Sequence, residues 1–273
     1  MLIFLFYLFG LGYTALFSYI FNIFGTLSYF DILWVALLLV LCFVLSFLTI
    51  LLIIQVMVLL RRNKPKNDVF NHHFANITLK LALHIMRTKV IVTGKENIPE
   101  GPFVLVGNHQ ENYDIIILKP IFEGIPLDFI AKEALKNVPI LGRWISILGN
   151  VYISRFADRS AAKSIIQGIK NVREGIPMGI FPEGKRTFGN EMIDFKPGAF
   201  KLAMKPKADL LIATQYDTCK IFKSFPWKKY KVKVHIHPII KYDEYQALNS
   251  HELADKVKAI IQEQLDKFAT ETN

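Results

Sequence analysis

Phe103-Val104-Leu105-Val106 runs directly into Gly107-Asn108-His109-Gln110-Glu111-Asn112-Tyr113-Asp114. A short unbroken apolar run bounded by turn residues reads as a strand. The polar octet is a turn, and a helix follows Asp114. Strand, turn and helix in that order are the repeating unit of an α/β fold.

Working outward, the same grammar recurs. Lys89–Thr93, Leu127–Ala131, Asn150–Ser154, Met178–Phe181, Leu210–Thr214 and Lys231–Ile236 read as further strands. The last alternates cations with apolar residues, which suits a strand with one face exposed. Ser160–Arg173 reads as a helix, with Ile165, Ile166, Ile169 and Val172 on one face and Gly175 as its stop. Asn249 and Glu252 form a capping box for a last helix that turns Leu253, Val257, Ile260, Ile261 and Leu265 inward. These elements predict an open, largely parallel sheet flanked by helices over residues 89–273.

Upstream the chemistry changes. Met1 to Leu60 holds one formal charge, Asp31, and no Lys or Arg. Its two apolar blocks, 2–24 and 32–60, each exceed or match the roughly 20 helical residues that span a bilayer core. Asp31, with Asn22, Gly25, Thr26 and Ser28, reads as the turn between them. The segment is therefore expected to be a membrane helical hairpin that spans the bilayer or dips into one leaflet. A cleaved signal peptide fits poorly, because no basic segment precedes the first block and no A-x-A site follows it. Arg61, Arg62, Lys64 and Lys66 come next, and the positive-inside rule keeps such a cluster in the cytoplasm. Residues 61–88 combine this basic junction with a helix carrying Phe70, Phe74, Ile77, Leu81 and Ile85 at helical spacing. That helix would either lie in the membrane interface or cover the sheet.

The 273 residues carry a net charge of +10, and 52% of them are hydrophobic. A mean hydropathy of +0.31 excludes a disordered chain. Cys42 and Cys219 are the only cysteines, too few for a disulfide scaffold or a cysteine-built zinc site. Cationic excess on an apolar chain points to an anionic membrane surface before nucleic acid.

Chemistry gathers where strands end. Across the turn after Val106, His109 and Asp114 can converge. The carboxylate would then accept Nδ1–H and leave Nε2 as a base near neutrality. In the plainer alternative, Asp114 complements a helix N-terminus and His109 satisfies loop backbone. After the strand at Met178, Phe181-Pro182-Glu183-Gly184-Lys185-Arg186-Thr187 places a permissive glycine beside two cations. Such a turn would hold a phosphate, or else form a solvated surface ion pair. Arg155, closing Gly149–Arg155, could be a second phosphate ligand or a surface arginine.

In order and spacing, these segments resemble the glycerolipid acyltransferase family, and within it the bacterial 1-acylglycerol-3-phosphate acyltransferases. His109 to Asp114 matches the NHx4D motif, Gly149 to Arg155 the GxxFIxR-like motif, and Phe181 to Thr187 the FPEGTRS-like motif. Lys132 matches a lysine that the family often carries between the first two. The resemblance spans roughly residues 86–240, and implies that 89–273 is an acyltransferase domain.

It further implies transfer of a fatty acyl group from an acyl thioester, acyl-CoA or acyl carrier protein, to the sn-2 hydroxyl of 1-acyl-glycerol 3-phosphate, giving phosphatidic acid. His109 would be the general base and Asp114 its partner. Glu183, Gly184, Arg186, Arg155 and Lys132 would bind substrate, with no metal, no cofactor and no acyl-enzyme. The partners implied are membrane lipids, lysophosphatidic acid and the acyl donor, not nucleic acid. The place is the cell membrane, with the catalytic domain on the cytoplasmic face.

Four departures bear on selectivity. Glu111 stands where the family often has Ser, Ser154 where it has Asp, and Lys185 where it has Thr. Leu210–Thr214, the counterpart of the fourth motif, lacks its proline.

Other readings remain open at this level. The acceptor could be glycerol 3-phosphate or another lysolipid, or the fold could serve as a non-catalytic lipid-binding protein. Lys220–Lys231 interleaves cations with aromatics, as a nucleic-acid binder would, though anionic headgroups explain it more simply. His235 and His237 share a zinc-like alternation but have no evident third ligand. His72 and His73 read as interfacial, and Cys219 as inert.

Overall fold

A computed structural model describes residues 1–21, 29–138, 141–153, 158–221, 223 and 228–271. Its contacts divide the chain into two compact units, Met1–Asn63 and Lys64–Asn273.

In the first unit, helices α1 (Leu2–Ile20) and α2 (Tyr29–Arg61) coincide with the two apolar blocks. Both are long and apolar enough to cross a membrane, and only 11% and 22% of their most apolar windows are buried. A core helix of a soluble protein would be mostly buried, so the low burial fits a membrane segment. Close packing joins the pair: a Cβ on Gly10 would lie 2.7 Å from the Phe43 ring. Ser46 Oγ donates to Phe6 O at 2.7 Å, and the Tyr13 and Thr49 hydroxyls pair at 3.1 Å. Asp31 does not sit in the turn expected for it. Helix α2 already begins at Tyr29, so the backbone at position 31 is helical. Asn22, Gly25, Thr26 and Ser28 lie outside the described residues.

The second unit holds β1 (Thr88–Thr93), β2 (Phe103–Gly107), β3 (Asp128–Lys132), β4 (Val151–Ile153), β5 (Met178–Ile180), β6 (Asp209–Tyr216) and β7 (Tyr230–Ile236). Its helices are α3 (Val69–Ile85), α4 (Asp114–Leu118), α5 (Leu141–Leu148), α6 (Asp158–Arg173), α7 (Pro197–Met204) and α8 (Ser250–Thr270). The strands form one sheet in the order β1-β7-β6-β2-β5-β3-β4. Every pairing is parallel except β6 with β7. The sheet is therefore largely parallel, as expected, with β1 and β7 reversed at one end.

Apolar side chains alternate between the faces. Val104, Val106, Leu210 and Ile212 point into a core with Phe200, Leu202, Val257 and Ile261 of α7 and α8. Phe103, Leu105, Leu211 and Ala213 point the other way, onto Leu83 of α3 and Ile117 and Leu118 of α4. Burial on both faces is why these strands read as unbroken apolar runs. Helix α8 carries the expected capping box between Asn249 and Glu252.

Helix α3 covers the sheet, but its buried face is partly polar. Asn71, His72 and Asn76 are buried while Phe70 is 46% exposed. His72 is thus not interfacial. Its Nε2–H donates to Lys66 O, and its Nδ1 accepts from Lys119 Nζ at 3.0 Å. Burial, reinforced by Lys119, pushes the imidazole down to about 3, so it is neutral. Lys119 also donates to Leu127 O, and burial lowers its ammonium to about 8. Asp128 is fully buried and accepts no hydrogen bond among the described residues. Burial pushes its carboxyl well up, against the opposing pull of Lys119.

Lys119 Nζ is the partner of two buried acceptors, His72 Nδ1 and Leu127 O, and a buried polar group left unpaired costs about 1–3 kcal/mol. Lys119→Met is expected to lower stability by at least that order in detergent melts. An unchanged melting temperature would show that these two bonds do not support the fold.

Candidate active site

Strand β2 ends at Gly107, and the chain turns sharply before α4. Asp114 organises this turn as the first residue of α4. Its Oδ2 accepts from Gln110 N at 2.7 Å, from Glu111 N at 2.9 Å and from His109 Nδ1 at 2.7 Å. Its Oδ1 accepts from the Thr218 hydroxyl at 2.6 Å. One fully buried carboxylate therefore wraps the loop around itself and fixes the imidazole tautomer. With Nδ1–H donating to Asp114, the Nε2 lone pair is left as the basic site. Nε2 has no partner among the described residues, and 10% of the His109 side chain remains exposed. The convergence expected of His109 and Asp114 is present.

Aromatic packing holds the ring plane. His109 stacks on Phe181 with centroids 4.5 Å apart and planes 12° apart, and Phe181 stacks on Phe129 at 6.1 Å. A glycine makes this possible: a Cβ on Gly179 would lie 2.4 Å from Phe129 Cε1. The stack places the aromatic end of β5 directly beneath the loop after β2.

The loop after β5 is stitched to the loop after β2 through backbone. Thr187 N donates to His109 O at 3.0 Å, and Phe188 N to Gln110 O at 3.1 Å. Glu183, 2% exposed, completes the seam. Its Oε1 accepts from His109 N at 2.8 Å and its Oε2 from Ile193 N at 3.4 Å. Burial raises this carboxyl to about 7, against the pull of those two N–H groups. Glu183 is thus placed as a positioning residue for the His109 loop. Gly184 has φ +70, a left-handed conformation that the turn requires and glycine adopts without strain.

Arg186 is held in the same seam. Its Nη1 lies 3.4 Å from Glu111 Oε2, and its guanidinium sits 4.7 Å above the Phe188 ring. Lys185 is exposed. Lys132 closes β3, level with Ile153 of β4, at the same strand-end edge of the sheet. Arg155 lies outside the described residues. The structure thus joins His109, Asp114, Glu183, Gly184 and Arg186 in one constellation and puts Lys132 on the same edge.

Several supporting residues escaped the sequence reading. Asn108 bridges to β6, donating to Gln215 O and accepting from Gln215 N, both at 2.8 Å. Gln110 accepts from Thr218 N at 3.0 Å and donates to Asn190 Oδ1 at 2.9 Å. These partners lie far away in sequence and carry no local signal. The cavity of about 420 Å³ lined by Pro99, Pro102, Pro206, Lys207, Asp209 and Lys241 lies by the beginnings of β2 and β6, away from His109. His235 and His237 meet edge to face at 4.6 Å, each bonded to a threonine, Thr93 and Thr214. Cys219 is buried, and burial raises its thiol above the usual range. Of the run Lys220–Lys231, residues 222 and 224–227 lie outside the described residues.

The chain is similar to known proteins. The chain is 36% identical over 177 residues to a 1-acyl-sn-glycerol-3-phosphate acyltransferase of Borreliella burgdorferi, covering 63% of this chain and 70% of that one. It is 28% identical over 232 residues to a probable 1-acyl-sn-glycerol-3-phosphate acyltransferase of Mycoplasma genitalium, covering 80% and 85%. The crystal structure of the 1-acyl-sn-glycerophosphate acyltransferase PlsC from Thermotoga maritima shares the fold. Its TM-score is 0.64 at 23% identity, over 78% of this chain and 87% of that one. The Acyltransferase family model matches residues 89–240, a stretch that runs from β1 past β7 and contains the whole His109–Arg186 constellation. This chain belongs to the acyltransferase family.

Proposed function

We propose that this protein transfers a fatty acyl group from an acyl thioester to the sn-2 hydroxyl of 1-acyl-glycerol 3-phosphate, giving phosphatidic acid. The observation that carries the reading is the His109–Asp114 bond of 2.7 Å, with Nε2 open, in a loop bonded through its backbone to the segment bearing Arg186. The names of the relatives in Borreliella burgdorferi and Mycoplasma genitalium support this choice of acceptor.

In this reading Nε2 of His109 takes the hydroxyl proton as the acceptor oxygen attacks the thioester carbonyl. The C–S bond then breaks, and the imidazolium returns the proton to the leaving thiolate. Asp114 stabilises the imidazolium in between. A thioester is already activated, so a positioned base suffices without a covalent intermediate. The burial of Cys219 and its raised thiol fit a direct transfer. Arg186, with Lys132 from the same edge of the sheet and with Arg155, the remaining arginine of the resemblance, neutralises the acceptor phosphate.

Long-chain donor and acceptor reside in the bilayer, which explains an α1–α2 anchor. The basic run Arg61 to Lys66 puts the catalytic unit on the cytoplasmic face. The donor is acyl-CoA or acyl carrier protein.

The test is an acceptor panel on purified full-length protein in liposomes with acyl-CoA. Conversion of lysophosphatidic acid to phosphatidic acid, well above any product from glycerol 3-phosphate, lysophosphatidylcholine or monoacylglycerol, is expected. A preference for another acceptor would replace the assigned substrate. Lysolipid binding without turnover, with either donor, would favour a lipid-binding protein instead.

A further inference from the structure

Among the described residues, four other than glycine adopt a positive φ: Arg87, Phe188, Lys207 and Asp217. Phe188, at φ +60, is the only aromatic one, and a bulky side chain in this region is strained. Burial does not offset the strain, because the residue is 56% exposed. Neighbouring bonds impose the conformation instead. Phe188 N donates to Gln110 O at 3.1 Å and Thr187 N to His109 O at 3.0 Å, while the Thr187 hydroxyl donates to Gly189 O at 3.0 Å. The backbone that carries the ring is thus fixed to the loop that carries the imidazole. Held there, the ring lies under the Arg186 guanidinium, whose carbon is 4.7 Å from the ring centroid. Strain maintained at such a place points to a functional contact.

We infer that Phe188 is a positioning residue whose ring holds the Arg186 guanidinium beside the His109 loop, in the place where the acceptor phosphate binds. An unrestrained arginine samples many rotamers, and the affinity for the phosphate falls with the fraction of molecules in which the cation is out of place. The contact of Arg186 with Glu111 Oε2, at 3.4 Å, is too long for a strong charged hydrogen bond. The aromatic face adds a second restraint through cation–π attraction. It does so without an oxygen acceptor, so it brings no further anion to oppose the phosphate.

The inference rests on the reading of Arg186 as the phosphate ligand, so the test has an arm that needs no turnover. Phe188→Gly in the full-length protein is expected to raise the KM for lysophosphatidic acid about two- to fivefold, the strength of a cation–π contact at an exposed site. Its kcat should change little, and its melting temperature should hold or rise, because glycine adopts φ +60 without strain. Phe188→Leu keeps the strain and the apolar bulk but has no ring, and should raise KM equally. Phe188→Tyr restores the ring and should return the wild-type value. In an Arg186→Ala background, Phe188→Gly should leave KM where it is. An unchanged KM in Phe188→Gly and Phe188→Leu, an equal rise for monoacylglycerol, or a full effect without Arg186 would overturn the inference. Should wild type transfer an acyl group to no acceptor, the function reading fails alone. Melting temperatures of Phe188→Gly, Arg186→Ala and the double variant then decide whether the ring holds the cation. A double-variant shift that departs from the sum of the single shifts is expected, and strict additivity would overturn the inference.

Discussion

His109→Ala is expected to lower kcat by about 10²–10⁴-fold, the usual contribution of a positioned general base. The acceptor KM should change by much less, because Arg186 and the backbone seam survive the substitution. Thr187 and Phe188 bond to the backbone carbonyls of His109 and Gln110, and Glu183 bonds to the His109 amide. None of these contacts involves the imidazole. Steady-state kinetics with lysophosphatidic acid and acyl-CoA, beside melting temperatures in the same detergent, provide the check. Wild-type turnover in a folded variant would remove His109 from the mechanism.

Asp114→Asn should also slow turnover, by about 10²-fold, the lower end of the range for acid–base assistance. In hydrolases with a comparable His–Asp pair, asparagine is damaging largely because it selects the wrong tautomer. Here the surroundings dictate otherwise. Two backbone N–H groups, from Gln110 and Glu111, converge on Oδ2, so the amide oxygen is the atom that belongs there. The amide nitrogen then faces the Thr218 hydroxyl, which lies 3.0 Å from Gln110 Oε1 and can turn its proton toward it. The loop and the Nε2 lone pair are preserved, and what disappears is the negative charge that stabilises the imidazolium. The fall should therefore appear in kcat with little loss of melting temperature. A loss as large as that of His109→Ala, in a folded protein, would mean that the orientation of the ring was lost as well.

Much of this arrangement is visible in the sequence because it is local. Strands β2, β5 and β6 are buried on both faces and so read as apolar runs, and α8 announces itself through its cap at Asn249. His109 and Asp114 are five residues apart, within the span of one turn. The elements that were missed have short or tertiary origins. Helices α5 and α7 have eight residues each, too few for a periodic signal to stand out. The reversal of β7 against β6 depends on pairing partners, which no local pattern encodes.

Polar burial was the hardest feature to foresee. His72 looks like an interfacial histidine until Lys119 and the Lys66 carbonyl are placed around it. The hydroxyl of Thr218 supports Asp114 across 104 residues of sequence. Glu183, a substrate-binding residue in the resemblance, also anchors the amide of His109, a contact across 74 residues that no local pattern announces. Arg155, the remaining arginine of the resemblance, lies outside the described residues.

The central claim is that a guanidinium holds the acceptor's phosphate while the imidazole activates its hydroxyl. The most direct measurement is the ratio of kcat/KM for lysophosphatidic acid to that for the matching monoacylglycerol, in wild type and in Arg186→Ala. A hydrogen bond to a charged group contributes about 1.5–3 kcal/mol. The account therefore predicts that the variant loses about 10–100-fold of the wild-type preference for the phosphorylated acceptor, with monoacylglycerol turnover little affected. A preference that survives Arg186→Ala intact, or one that is absent from wild type, would contradict it.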